Sequence, residues 1–220
     1  MSAGVYVTGT DTGIGKTHAS VQLLRALQRR GLRASGMKPV ASGCRATPPG
    51  LRNEDAEVLI AASNPAPAYG DCNPCALAEP IAPHIAARRR DTEIVLAPLR
   101  EAYRRIARDA DRVVVEGVGG WMVPLSDSLM QADLVRALEL PVVLVVGLRL
   151  GCISHALLSA RAIAADGCRL AGWIANHVDP AMAAVDENIA TLRERIDAPL
   201  LGVLGHAAAA DPAALDVHAL

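Results

Sequence analysis

The sequence predicts an α/β protein, a three-layer fold whose mostly parallel central sheet carries helices on both faces. Three observations predict it. Strand-like and helix-like segments alternate along the chain. The strand segments, such as VVLVV at 142–146, are apolar throughout rather than alternating, as strands covered on both faces are. A glycine-rich segment, GTDTGIGKT at 9–17, lies between the first strand and the first helix, the setting of a phosphate-binding loop.

The elements follow in order. Val5–Thr8 reads as a short buried strand. A helix runs from about Lys16 to Arg30, with Val21, Leu24 and Leu27 at helical spacing and Gly31 as its stop. Arg33–Pro39 reads as a second strand and Glu54–Ala62 as a helix. Residues 64–83 hold five prolines and read as mostly irregular. Glu93–Arg108 reads as a helix, RVVVEG at 112–117 as a strand, and Pro141–Val146 as another. A helix from about Ile153 to Ala165, the strand LAGWIAN at 170–176, a helix over Ala183–Arg195 and the strand LLGVL at 200–204 complete the pattern. Ligands of such sheets bind at the carboxyl ends of the strands.

Composition narrows the function classes. The 220 residues, 51% hydrophobic, suit one domain spanning 1–220, with the alanine-rich tail after about 207 left open between helix and disorder. A formal net charge of −1 gives no bulk attraction to nucleic acid or to an anionic membrane. Aromatic residues make up 2% and Phe is absent, so no stacking platform for single strands is evident. MSAGVYVTG shows no basic leader before an apolar run, and PVVLVVGLRLG is broken by Arg149 and too short to span a bilayer. The expected location is therefore cytoplasmic, with the five cysteines reduced.

The 9–17 loop carries the first chemistry. Its five residues between Gly9 and Gly15 exceed the usual four. Backbone N–H groups from Gly13 and Ile14 through Gly15 to Thr17 would converge on the β-phosphate, helped by the helix N-terminus. Lys16 would bridge the β- and γ-phosphates, and the Thr17 hydroxyl would hold Mg²⁺. Glu116 ends its strand as the expected second Mg²⁺ contact, and Gly117, Val118 and Gly119 let the backbone pass close to phosphate. Asp55 is a further carboxylate candidate, read in isolation as a solvated acid at a helix start. Lys38, in GMKPVASG, ends a strand ahead of Pro39 and faces the same edge. At about 4 Å and an effective dielectric near 20, two unit charges interact by about 4 kcal/mol, enough to hold an anionic intermediate. Ser42 adds a hydroxyl. The turn before Ile153 offers free N–H groups for a carboxylate. Asn176 could read a purine edge, although His177 stands where a guanine-reading motif has lysine. Cys72 and Cys75 have metal or redox spacing but no second pair, the six histidines show no ligand spacing, and Arg88, Arg89 and Arg90 read as a solvated helix face.

Taken together, VTGTDTGIGKT, KPVASG, GLRNEDA, NPCALAEPIAPH, VEGVGGWMVPLSD, LPVVLVVGLRLGCISHALL, LAGWIAN and APLLG resemble the dethiobiotin synthetase family over nearly the whole chain to about residue 205. The resemblance implies a P-loop NTPase-like fold, an active homodimer, and ATP, Mg²⁺, CO₂ or bicarbonate and 7,8-diaminononanoate as reactants. It further implies Lys38, Lys16 and Thr12 at the reacting groups, with Thr17, Asp55 and Glu116 as metal ligands. His18, Asn176, His177, Gly205, His206 and Ala207 would stand on the nucleotide side. Ser42 would contact the diamine, and Gly151, Cys152, Ile153 and Ser154 would hold its carboxylate across the dimer interface. Gly13 departs from the Glu of the family pattern, and Gly205-His206 from its Pro-Trp pair. The alternative is a nucleotide-switched partition or positioning ATPase of the same fold, but those carry a second lysine early in the loop and residues 9–15 hold none. The related amidation enzymes need an added glutaminase domain, for which 220 residues leave no room.

Overall fold

A computed structural model describes residues 3–205, 215–218 and 220 of the chain. Six strands form one sheet: β1 (Ala3–Gly9), β2 (Ala34–Met37), β7 (Arg112–Glu116), β8 (Val142–Leu148), β9 (Leu170–His177) and β10 (Leu200–Leu204). Two small pairs join β3 (Val40–Ala41) to β6 (Cys75–Ala76) and β4 (Arg45–Thr47) to β5 (Gly50–Arg52). The helices are α1 (Lys16–Arg29), α2 (Glu54–Ala62), α3 (Tyr69–Cys72), α4 (Pro83–Arg88), α5 (Leu96–Asp109), α6 (Gln131–Leu138), α7 (Cys152–Ala165) and α8 (Val185–Arg195).

The sheet order is β10-β9-β8-β1-β7-β2, and every pairing is parallel. Side chains of each strand alternate between two cores. Tyr6, Val113, Val115, Leu144 and Trp173 join α5, α6, α7 and α8 on one face. Val5, Val7, Val114, Val143 and Ile174 join α1 and α2 on the other. This double burial is why the strands are continuously apolar. The loop after β1 emerges between β7 and β8, where the strand order reverses and open α/β sheets place their ligands.

Most predicted elements fall within a few residues of their expected bounds. Three helices were not expected: α4, α6 and the four-residue α3. α4 begins with Pro83 at its first turn, a position proline tolerates, inside what reads as irregular chain. α6 is eight residues long and buries Leu134, Val135 and Leu138. Of the tail, 206–214 lies outside the described residues, while Leu215 and Val217 are buried against the α1 face. There Asp216 N–H donates to Leu201 O at 2.7 Å and Arg30 Nη1 to Val217 O at 3.0 Å. Among the described residues, no helix is long and apolar enough to cross a membrane.

Candidate active site

The 9–17 loop is seated from below. Ile14 is fully buried and packs under two glycines: a Cβ would lie 2.7 Å from Ile14 at both Gly9 and Gly147 of β8. Gly15 caps α1 in the left-handed region, with φ 82°. Asn176, at the end of β9, reaches across and donates from Nδ2 to Ile14 O at 2.7 Å. One hydrogen of the Asn176 amide is thus committed to the loop. Asp11 braces the loop's near side. Its Oδ1 accepts from Thr12 N–H at 2.7 Å, its Oδ2 meets Arg149 Nη2 at 2.6 Å, and its carbonyl accepts from Lys16 Nζ at 2.8 Å.

Beside the loop lies a compact cluster of charge. Lys38, 4% exposed, sits just past β2. Its Nζ lies 2.6 Å from Glu116 Oε1 and 3.0 Å from Asp55 Oδ2, and donates to Gly117 O at 3.2 Å. The Thr17 hydroxyl donates to the same Glu116 Oε1 at 2.9 Å. Asp55 arrives on the first turn of α2, which Asn53 caps by accepting from Ala56 N–H at 3.2 Å. Glu116 has no exposed surface, and its Oε2 has no hydrogen-bond partner. Four residues from four sequence-distant segments, Thr17, Lys38, Asp55 and Glu116, therefore meet at the carboxyl ends of β1, β2 and β7.

A cleft of about 770 Å³ opens over this cluster. One side is polar, lined by Thr12, Gly13, Gly15, Lys16 and Thr17. The lining also includes apolar residues, among them Ile81, Pro83, Val118, Met122, Val123 and Pro124. Such a shape suits a reactant pair with one highly charged and one partly alkyl member.

Residues 3–214 match a family model described as an AAA domain. The chain is 61% identical over 197 residues to a protein of Xanthomonas oryzae pv. oryzae (strain PXO99A) named ATP-dependent dethiobiotin synthetase BioD, covering 90% of this chain and 88% of that one. A protein of the same name from Xylella fastidiosa (strain 9a5c) is 59% identical over 201 residues, covering 91% and 89%. The chain belongs to the dethiobiotin synthetase family. Solved structures share the fold at low identity. The signal recognition particle receptor FtsY of Elizabethkingia anophelis has a TM-score of 0.56 at 15% identity, over 98% of this chain and 60% of that one. The MinD cell division protein of Aquifex aeolicus has 0.55 at 15%, over 93% and 83%.

In this chain the site's charges are tuned by one another. Burial works against the Lys38 ammonium, but the Glu116 and Asp55 carboxylates outweigh it and hold its pKa above the usual lysine value. Burial likewise opposes the Asp55 carboxylate, and Lys38 outweighs it, so the Asp55 pKa is lowered. Lys16 has no such pairing. Burial, followed by the nearby Lys38 charge, lowers its pKa to about 8, a state that an arriving anion would reverse.

The remaining expected residues fall into three groups. Ser42 lines the cleft, and its buried Oγ has no partner. Gly151 caps α7 with φ 94°, Cys152 is buried and Ser154 is exposed, but these and Ile153 do not line the cleft. His18, Asn176, His177 and Gly205 also stand off it. Burial and the charge of Arg25 lower the His18 pKa. His206 and Ala207 lie outside the described residues. Arg88, Arg89 and Arg90 are exposed, with Arg88 paired to Asp127 and Arg89 to Glu79. Three features had no reading in the sequence: the Asp11–Arg149 brace, the apolar wall over 122–124, and Gln131 beneath the glycines after Glu116. The brace joins positions 138 apart, and no local spacing encodes such a pair.

Proposed function

We propose that this cleft phosphorylates a carbamate of 7,8-diaminononanoate with ATP and then closes the ureido ring, giving dethiobiotin, ADP and phosphate. Family membership makes the chain an ATP-dependent ligase that forms carbon–nitrogen bonds in biotin biosynthesis. The observation that carries the chemical reading is Lys38 Nζ, buried between Glu116 and Asp55 beside Lys16 and Thr17.

Mg²⁺ fits the donors present. Thr17, Asp55 and Glu116 offer hard oxygens, and Glu116 Oε2 is a buried acceptor with no partner. Among the described residues, no three side chains drawn from His, Cys, Asp and Glu gather at one place. Two carboxylates and one hydroxyl leave room for the several waters that Mg²⁺ keeps. Thr17, Asp55 and Glu116 would hold it, and it would supply neutralising charge to the phosphates.

The residues then act by position and charge. One amine of the diamine forms a bond to CO₂ and loses a proton, giving a carbamate anion. The Lys38 ammonium neutralises that anion. The Ser42 hydroxyl orients the reacting nitrogen end. Lys16 and the N–H groups of Gly13–Thr17 hold the phosphates in line, so that a carbamate oxygen bonds to the γ-phosphorus as its bond to ADP breaks. The second amine then attacks the carbamoyl carbon, phosphate departs with the former carbamate oxygen, and a proton is lost. The apolar wall at Ile81, Val118 and Met122 accommodates the alkyl chain. The N-terminus of α7, Gly151–Ser154, lies off the cleft within one copy. We assign it to the substrate carboxylate of a second copy in a homodimer.

The test is product formation. With diaminononanoate, labelled bicarbonate and Mg-ATP, label is expected in dethiobiotin, with ADP release dependent on the diamine. ADP release that ignores the diamine, with no labelled product, contradicts the proposal and favours a nucleotide-switched ATPase.

A further inference from the structure

Between β7 and α6 the chain makes an excursion, residues 117–130, whose first part lines the cleft beside the 9–17 loop: an added Cβ would lie 3.7 Å from Thr12 Oγ1 at Gly119 and 3.5 Å from Gly9 O at Gly120. Its later part is tied off: Pro124 bridges to Met130, and Gln131 N–H donates to Val123 O at 2.8 Å. Gly117–Gly120 contains three glycines, which lose more conformational freedom on ordering than other residues. A wall made of such chain needs a holder.

Gln131 is that holder. Its side chain has no exposed surface and lies beneath the segment. Oε1 accepts from Val118 N–H at 3.0 Å, and Nε2 donates to Gly120 O at 2.7 Å, with longer approaches of 3.5 Å to Thr8 Oγ1 and Trp121 O. The amide cannot be reversed, because its NH₂ would then face an N–H. A Cβ at Gly117 would fall 2.6 Å from Oε1 and 2.8 Å from the Tyr6 hydroxyl, so the glycine is the space Gln131 requires. The connection to the chemistry is direct. Gly117 O accepts from Lys38 Nζ, and Val118, Gly119 and Gly120 line the cleft.

We propose that Gln131 is a positioning residue for the reaction. Its carboxamide fixes residues 117–120, and with them the wall that holds the diamine and one acceptor of Lys38, without itself touching substrate. The proposal rests on the carbamate-phosphorylating reading above. The 13–17 loop is held directly by Asn176 and Asp11, so Gln131 acts on the nucleotide side only through residues 117–120. Trp121 Nε1 donates to Asp166 Oδ2 at 2.7 Å, so the far end of the segment keeps its own anchor when Gln131 is changed.

The test uses the full chain and two variants. Gln131→Met keeps the length and removes both hydrogen bonds. Gln131→Glu keeps the acceptor for Val118 and removes the donor to Gly120 O. Both are expected to lower kcat/KM for the diamine at least tenfold, and to weaken Mg-ATP binding, measured without diamine, by a clearly smaller factor. Equal kcat/KM in variant and unaltered chain overturns the proposal alone. So does a parallel loss of ATP affinity. Failure of both variants to fold, judged by circular dichroism, also overturns it, since Gln131 would then serve the fold rather than the wall. Absence of dethiobiotin from the unaltered chain overturns the underlying reading and the proposal with it.

Discussion

Lys38→Ala is expected to lose turnover by about 10²–10³-fold, the usual effect of removing one preorganised group that stabilises transition-state charge, while Mg-ATP affinity changes little. Lys38 reaches the site from β2, beside the 9–17 loop, and its partners are Glu116, Asp55 and Gly117 O. None belongs to the loop. The same substitution carries a stability cost. It leaves Glu116, which has no exposed surface, without its cation. Breaking a buried pair by removing one partner costs about 3–5 kcal/mol. For a chain of this size the thermal midpoint would fall on the order of 10 °C. Part of that loss should return with Mg²⁺, which restores positive charge between the same carboxylates. Steady-state kinetics with nucleotide titration and calorimetry measure each effect. Equal losses of turnover and ATP affinity would assign Lys38 to the nucleotide and remove it from the carbamate.

Gly15→Ala should be the more damaging of two otherwise similar changes in the loop. Gly13 and Gly15 both have positive φ, 73° and 82°, and a side chain there costs about 1–2 kcal/mol. At Gly13 nothing lies within 4 Å of an added Cβ. At Gly15 the added Cβ would meet Asn176 Nδ2 at 2.2 Å. Asn176 would have to move, breaking its bond to Ile14 O and unseating the loop. Gly13→Ala should therefore weaken Mg-ATP binding less than about tenfold, the equivalent of its backbone cost. Gly15→Ala should weaken it by at least a further order of magnitude, the scale of one lost buried hydrogen bond. Isothermal titration of the two variants decides it, and equal affinities would refute the seating role of Asn176.

The same geometry accounts for the departure at position 13. In this chain the backbone there is left-handed and opens to space, a conformation glycine takes without strain and an acidic side chain would not. The sheet was legible because strands buried on both faces must be continuously apolar, and VVLVVGL and RVVVE are. The meeting of Lys38 and Glu116 was legible because each ends a strand at the sheet's carboxyl edge, whereas Asp55, which alone reads as a solvated acid at a helix start, joined them only through the family resemblance. What escaped was of two kinds. α3, α4 and α6 are too short for periodicity to declare them, and proline masks α4. Gln131, the bond from Asn176 to Ile14 O and the Asp11–Arg149 brace act through contacts between distant segments, and a lone polar residue in sequence does not announce what it will hold.

The most direct measurement follows oxygen rather than carbon. With CO₂ labelled by ¹⁸O, assayed faster than it exchanges with water, a carbamate oxygen that attacks the γ-phosphorus must leave with the phosphate. One ¹⁸O is expected in each phosphate released and one in the ureido carbonyl, and both should require the diamine. Unlabelled phosphate, or labelled phosphate formed without the diamine, would contradict phosphorylation of a carbamate at this site.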